Sequence, residues 1–214
     1  MTSTTMRPRP PTPEPEQQET TMSELSSAGR PTTPRIEPID PETVAADSEL
    51  ADLFAQSLTH DGRPLNIFGV LAHHPKMLKR FNLLGAQILN RGLLPARERE
   101  LVILRVGVQA RAEYEFGQHT IIGRDAGLTD DEIRAVAGDP ADADWSDDDR
   151  ALLALVDDLC ADDCVSDATW AALAPRWNDA ELVELLIVAG FYRMVSGFLN
   201  SAGVQLDPGV PGWP

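Results

Sequence analysis

The residues best suited to chemistry sit together in the run Ala-Glu-Tyr-Glu-Phe-Gly-Gln-His, 112–119. Glu115 and His119 are at positions i and i+4, a spacing that on a helix brings both side chains onto one face. A carboxylate beside an imidazole raises its basicity and fixes its tautomer, which makes a ready general acid and base. The same spacing also describes an ordinary surface ion pair, worth little to a fold. Tyr114 and Phe116 put aromatic surface beside the pair, and Gly117 and Gly123 leave room for a second helix or a ligand. A polar pair in such an apolar frame has to be satisfied, and functional sites concentrate in such places.

Other reactive residues point less clearly to a site. His73 and His74 are adjacent, so on a helix they project about 100° apart, and no further ligand stands at i+3 or i+4; a metal is not expected there or at His119. Cys160 and Cys164 lie in Cys-Ala-Asp-Asp-Cys, where the aspartates raise a thiol pKa, so they read as structural. Two cysteines are too few for a disulfide framework and fit a reducing, cytoplasmic setting. The ten aspartates between 139 and 163 face a single Arg150 and lack the glycine-centred spacing of a calcium loop; they read as a solvated loop and helix face. With 34 Asp and Glu against 18 Lys and Arg, the net charge of −16 repels phosphate backbones and anionic lipid, so neither nucleic acid nor membrane is an expected partner. No uninterrupted apolar stretch reaches the roughly 18 to 20 residues of a membrane span, and the start lacks the order of a signal peptide.

The elements that must position the pair are helices. Residues 1–40 are rich in Pro, Thr, Ser, Gln and Glu and are expected to be a disordered tail, because they cannot bury enough to offset ordering entropy. A helical domain is expected over 41–205, with a C-terminal tail at 206–214. Asp40-Pro41 starts a helical pattern that Asp61-Gly62 stops, and a short turn covers 66–73. Pro75 and Pro95 open two further helices, and the second carries the apolar run LVILRVGV behind a charged first turn. Residues 112–126 continue helically to Gly127. Capping signals at Thr129, Ser146, Ser166 and Asn178 start four more helices, the last over 179–202 and ended by Gly203. No alternating hairpin pattern is evident, so the architecture reads as an all-α helical bundle. Trp145, Trp170, Trp177 and Trp213 are expected to pack helices.

The run RERELVILRVGVQARAEYEFGQHTIIGRDAGLTDDEI, 97–133, resembles the carboxymuconolactone decarboxylase family, which includes the alkyl hydroperoxidase D-like proteins. NIFGVLAHHPKMLKRF, 66–81, is similar to the leader helix of its longer members, and ELLIVAGFYRMVSGFLN, 184–200, to their last helix. The resemblance implies the helical bundle of the alkyl hydroperoxidase D-like type, assembled as homo-oligomeric trimers or hexamers. In the redox branch of that family a glutamate, a C-x-x-C and a histidine four residues later form a thiol site. Here Glu100 matches the glutamate and His119 the histidine, but the cysteine positions hold Ala112 and Glu115, so the thiols are absent.

What then follows from the resemblance is a cofactor-free carboxy-lyase acting on a carboxylated lactone or similar small organic acid. In that reading His119 delivers a proton to the dienolate, Glu115 tunes it and Glu100 completes the relay. Tyr114 contacts the substrate, and Arg105 or Arg124 holds its carboxylate. Two alternatives stand beside it. One is a peroxidase-like reductase of the alkyl hydroperoxide reductase type, which needs Cys160 and Cys164 as low-pKa thiols. The other is a non-catalytic helical module that binds a ligand or partner.

Overall fold

A computed structural model of the chain describes residues 29–140 and 143–214. Among them nine α-helices follow one another: α1 (Glu49–Ala55), α2 (Asn66–Leu71), α3 (Pro75–Arg91), α4 (Ala96–Gln109), α5 (Glu113–Asp125), α6 (Asp130–Val136), α7 (Asp147–Asp162), α8 (Asp167–Leu173) and α9 (Asp179–Ala202). A short 3-10 turn, Pro41–Thr43, precedes them, and one two-stranded antiparallel ribbon joins β1 (Thr59–His60) to β2 (Arg63–Pro64). The fold is all-α, as the periodicity predicts.

Helix α4 is the axis of the bundle. Every residue from Arg99 to Val108 is buried, because α5, α6, α7 and α9 pack around it. This resolves the run LVILRVGV, whose continuous apolarity suits a core helix as well as a buried strand. Several boundaries follow from capping chemistry. Thr129 and Glu132 form a reciprocal box at the start of α6, and Asn178 and Glu181 form one at the start of α9. Ser146 and Ser166 cap α7 and α8 with their hydroxyls, and α9 ends at Gly203 with φ +69°.

Four local expectations differ from the structure. The pattern over 41–61 is not one helix: Ser48 opens the short α1, and Asp61 (φ 49°) and Gly62 (φ 78°) make the tip of a hairpin pairing Thr59 with Pro64 and His60 with Arg63. Two consecutive positive φ values are what a two-residue hairpin loop demands, so Asp-Gly is a turn rather than a helix stop. The expected turn at 66–73 is instead α2, with Ile67, Phe68, Gly69 and Val70 buried. Its N-cap residue, Leu65, offers no side-chain acceptor; the Asn66 amide donates to Asp207 Oδ1 at 2.9 Å, a cap supplied from far along the chain.

Both tails also carry structure. Residues 1–28 lie outside the described residues, but 30–40 run along the body: the Arg35 and Ile36 amides donate to Ala202 O, and the Ile39 amide donates to Gly69 O. At the other end, Asp207 and Val210 are buried and the Trp213 ring lies 4.8 Å from Phe116. Backbone donors that meet helix carbonyls hold the N-terminal segment, Val210 and Trp213 add apolar contacts at the C-terminal one, and small residues let the chains approach. Gly69 has no room for a Cβ against Pro38, and Gly117 none against the Pro211 carbonyl.

Helix α9 has the length and hydropathy of a membrane span. Ten of its residues, from Leu182 to Ala202, are nevertheless buried within the bundle.

Candidate functional site

The site arises where α5 lies tightly on α4. A Cβ at Gly107 would stand 3.4 Å from the Phe116 amide nitrogen, and one at Gly123 would meet Leu128 at 3.1 Å and Leu104 at 3.4 Å. These glycines set the separation at which His119 on α5 reaches Glu100 on α4. His119 Nδ1 is 2.6 Å from Glu100 Oε2, and its Nε2 is 3.1 Å from Glu115 Oε1. Glu100 Oε1 accepts from Arg99 Nε at 2.9 Å, and Arg99 Nη1 donates to Leu89 O at 3.2 Å. The result is a continuous chain, Arg99, Glu100, His119, Glu115, whose members are at most 8% exposed.

With a carboxylate on each ring nitrogen, His119 is held as an imidazolium donating both N–H groups. Burial alone lowers its pKa, but the Glu100 charge and the hydrogen bonds from Glu100 and Glu115 outweigh that and push it up to about 10. Two cations then balance two carboxylates, so the buried chain carries no net charge.

The Glu115 end of the chain opens on a cavity. Glu115 and His119 line a cavity of about 130 Å³ between α3, α5 and α9, together with Tyr114, Gln118, Tyr192 and apolar side chains including Leu65, Ile67, Phe68, Phe81, Phe191 and Val195. Glu100 and Arg99 stand behind His119, away from the cavity. Tyr192 sets its ring edge-on to His119, with centroids 4.8 Å apart. Tyr114 donates its hydroxyl to Asp207 Oδ2 at 2.6 Å and accepts from the Ile67 amide at 3.3 Å, while Gln118 Nε2 donates to the same Asp207 oxygen at 2.8 Å. Burial, then the adjacent Asp207 charge, holds the Tyr114 hydroxyl well above its ordinary pKa.

The structure brings Glu100, Glu115, His119 and Tyr114 together and places both arginines elsewhere. Arg105 forms a two-pronged ion pair with Asp157 and donates to the Val136 and Gly138 carbonyls, which ties α4 to α7 and the end of α6. Arg124 is an exposed surface residue paired with Asp130. Neither lines the cavity. Cys160 and Cys164 stand near the end of α7, also outside it; Cys160 is half-buried with its thiol pKa raised by burial, and Cys164 is exposed. His73 is exposed and bonds to the Glu37 carbonyl, and among the described residues no three His, Cys, Asp or Glu side chains gather as a metal site.

Three participants escape reasoning from the sequence: Arg99, Tyr192 and Asp207. Arg99 is a chain neighbour of Glu100, and neighbours on a helix diverge, so spacing gives no hint. The other two come from α9 and the C-terminal segment, with no local signal.

Residues 75–158 match the carboxymuconolactone decarboxylase family. The match covers α3 to α6 and most of α7, the stretch that carries Glu100, Glu115 and His119. No curated protein matches the chain significantly. Among solved structures, an alkylhydroperoxidase AhpD core, an uncharacterised peroxidase-related protein from Ralstonia eutropha JMP134, is 20% identical with a TM-score of 0.71, covering 84% of this chain and 95% of its own. A peroxidase-related protein from Silicibacter sp. TM1040 is 16% identical, TM-score 0.71, over 84% and 96% of the two chains. The debrominase Bmp8 is 14% identical, TM-score 0.69, over 83% and 95%. At these identities the likeness concerns the fold. In this bundle Ala112 is fully buried and Glu115 faces His119, so the two cysteine positions expected from the resemblance carry a methyl group and a carboxylate.

Proposed function

We propose that this chain is a cofactor-free enzyme that moves protons on a small unsaturated organic molecule, with Glu115 meeting the substrate and His119 and Glu100 setting its charge state. The supporting observation is the charge-balanced chain Arg99, Glu100, His119, Glu115, which ends at a mostly apolar cavity. Glu115 takes a proton from a carbon acidified by a neighbouring carbonyl, and the electron pair moves onto the carbonyl oxygen as an enolate. The imidazolium of His119, left with one carboxylate fewer, stabilises that charge. Return of the proton to a conjugated carbon completes an isomerisation with no oxidant or reductant consumed.

Decarboxylation of a lactone acid is the second reading, favoured by the family. There the carboxylate leaves as carbon dioxide, its electron pair enters the conjugated system, and the chain returns a proton to the dienolate. That reaction asks for a cation near the substrate carboxylate, and Arg105 and Arg124 are engaged elsewhere. Hydroperoxide reduction, suggested by the peroxidase-related relatives, asks for a thiol, and no cysteine lines the cavity.

The test is one panel on wild type, Glu115→Gln and His119→Gln. Deuterium uptake from solvent into cyclic enones and unsaturated lactones is followed by NMR, alongside carbon dioxide release from carboxylated lactones and thiol-dependent hydroperoxide consumption. We expect exchange with wild type and a loss of about 10²- to 10⁴-fold in Glu115→Gln. Hydroperoxide consumption that survives Glu115→Gln, with no exchange in wild type, would overturn the proposal.

A further inference from the structure

Three properties of the cavity wall bear on what it accepts. The first is shape. Phe68, Phe81, Phe191, Tyr192 and His119 follow one another ring against ring, with successive centroids 6.2, 5.3, 5.3 and 4.8 Å apart. All five line the cavity. Flat faces and edges of this kind favour a planar, π-rich guest. An apolar cavity of about 150 Å³ holds a benzene molecule, so about 130 Å³ here suits a single ring.

The second is a hydroxyl without a partner. Tyr192 is 4% exposed, yet its O–H makes no hydrogen bond to any described residue. It is also absent from the sealed polar atoms that lack partners, Asn82 Oδ1, Thr120 Oγ1, Trp145 Nε1 and Ser196 Oγ, so its oxygen keeps some open surface, on a residue that lines the cavity. Burial, and then the Glu115 and Glu100 charges, raise its pKa well above the ordinary value, so the group is a standing O–H donor. Buried tyrosine hydroxyls usually find an acceptor.

The third is charge. His119 is the one cation of the wall, and it is already divided between two carboxylates. The other polar lining side chains, Tyr114, Gln118, Asn82, Asn90, Gln56 and Ser57, are uncharged. An anionic guest would face the Glu115 carboxylate in a low-dielectric pocket with no free countercharge.

We infer that the cavity selects an uncharged, planar, single-ring compound bearing a carbonyl oxygen, which accepts from the Tyr192 hydroxyl while the ring lies along the aromatic wall beside Glu115, and that it rejects the corresponding carboxylate. This deepens the proton-transfer reading and rests on it for the role of Glu115. It adds Tyr192 as the donor that fixes the carbonyl oxygen, where an enolate charge would develop.

The test uses three single-ring compounds: benzamide (neutral, with a carbonyl acceptor), benzoate (anionic and of the same size as benzamide) and toluene (smaller, with no acceptor). Binding to the full chain at pH 7.5 is followed by calorimetry and by NMR shifts of the Tyr192 and His119 rings. Wild type is expected to bind benzamide at least about tenfold more tightly than benzoate, and more tightly than toluene. Tyr192→Phe, which keeps the ring beside His119, is expected to erase the preference for benzamide over toluene. Glu115→Gln, which removes the opposing charge, is expected to raise benzoate affinity about tenfold or more. Each equilibrium factor of ten corresponds to about 1.4 kcal/mol. Benzoate bound as well as benzamide by wild type, or an unchanged benzamide to toluene ratio in Tyr192→Phe, overturns the inference. Solvent exchange separates the two proposals: exchange that depends on Glu115 together with a benzoate preference sinks only the selectivity, whereas the predicted selectivity with no exchange on any compound sinks only the proton-transfer reading.

Discussion

Glu100 has no exposed surface, and both its oxygens are engaged, one by Arg99 and one by His119. A buried charge so placed depends on its partners, and deleting one partner of a buried pair costs about 3–5 kcal/mol. Glu100→Gln leaves Arg99 and His119 short of a carboxylate. It is expected to destabilise the fold by about that amount, read from urea midpoints, and to release His119 toward an ordinary imidazole pKa, read by NMR. His119 itself titrates at about 10 in the folded chain against a reference value of 6.5. A raised folded pKa means that its stabilisation is complete below about pH 6.5 and is lost as pH climbs through the folded value. Thermal stability should therefore decline between about pH 6.5 and 10 in wild type, and His119→Gln should flatten that decline; an equal slope in both would show that His119 is not the linked group. The Glu115–His119 pair is legible in the sequence because i, i+4 geometry is a property of any helix. The misplacement of Arg105 has a physical cause: its partner Asp157 lies 52 residues further on. Nothing local says that this arginine turns away from the cavity.

At the scale of elements, what is legible is what is local. Boxes and caps at Thr129, Ser146, Ser166 and Asn178 start helices where their side chains can reach their own backbone. What is not legible depends on distant donors and acceptors, and Asp207 is the clearest case. Its carboxylate accepts from the Asn66 amide at the head of α2 and from Tyr114 and Gln118 on α5, thereby joining three parts of the chain beneath the cavity. Asp207→Ala leaves these donors unpaired in a buried place, each costing about 1–3 kcal/mol. It should lower Tm and speed amide exchange in both α2 and residues 204–214. Gly117→Ala tests the same clasp from the other side, because its methyl group collides with the Pro211 carbonyl. Faster exchange confined to 204–214 is expected there, while α2, whose cap is intact, keeps its protection.

For the molecule as a whole, the acidic surface is interrupted along α9. Val183, Ile187 and Met194 are 61%, 51% and 53% exposed, and Gly190 and Gly197 between and beyond them have nothing within 4 Å of a would-be Cβ. The spacing of 4, 3, 4 and 3 residues is the seam pattern of one helix laid on another. Helix α3 runs beside α9 in the opposite direction, since Phe81 packs on Phe191 and Glu184 accepts from the Leu93 and Leu94 amides just past its end. It adds Met77, Leu83 and Leu84 to the exposed apolar residues, and Leu93 follows it. A membrane is a poor cover for this strip, because the opposite face of α9 is committed to the core and Arg193 is tied to the Leu159 carbonyl and Asp163. A second copy of the chain suits it better, with open glycines admitting close approach. Light scattering on the purified chain should then give a multiple of 23.3 kDa, and Ile187→Glu should shift the mass toward one copy without changing helicity. Copies carrying −16 each repel one another, so added salt, which shortens the screening length from about 30 Å at 0.01 M to about 8 Å at 0.15 M, should strengthen the association. A wild-type mass of one copy at every salt concentration would leave the strip without this role.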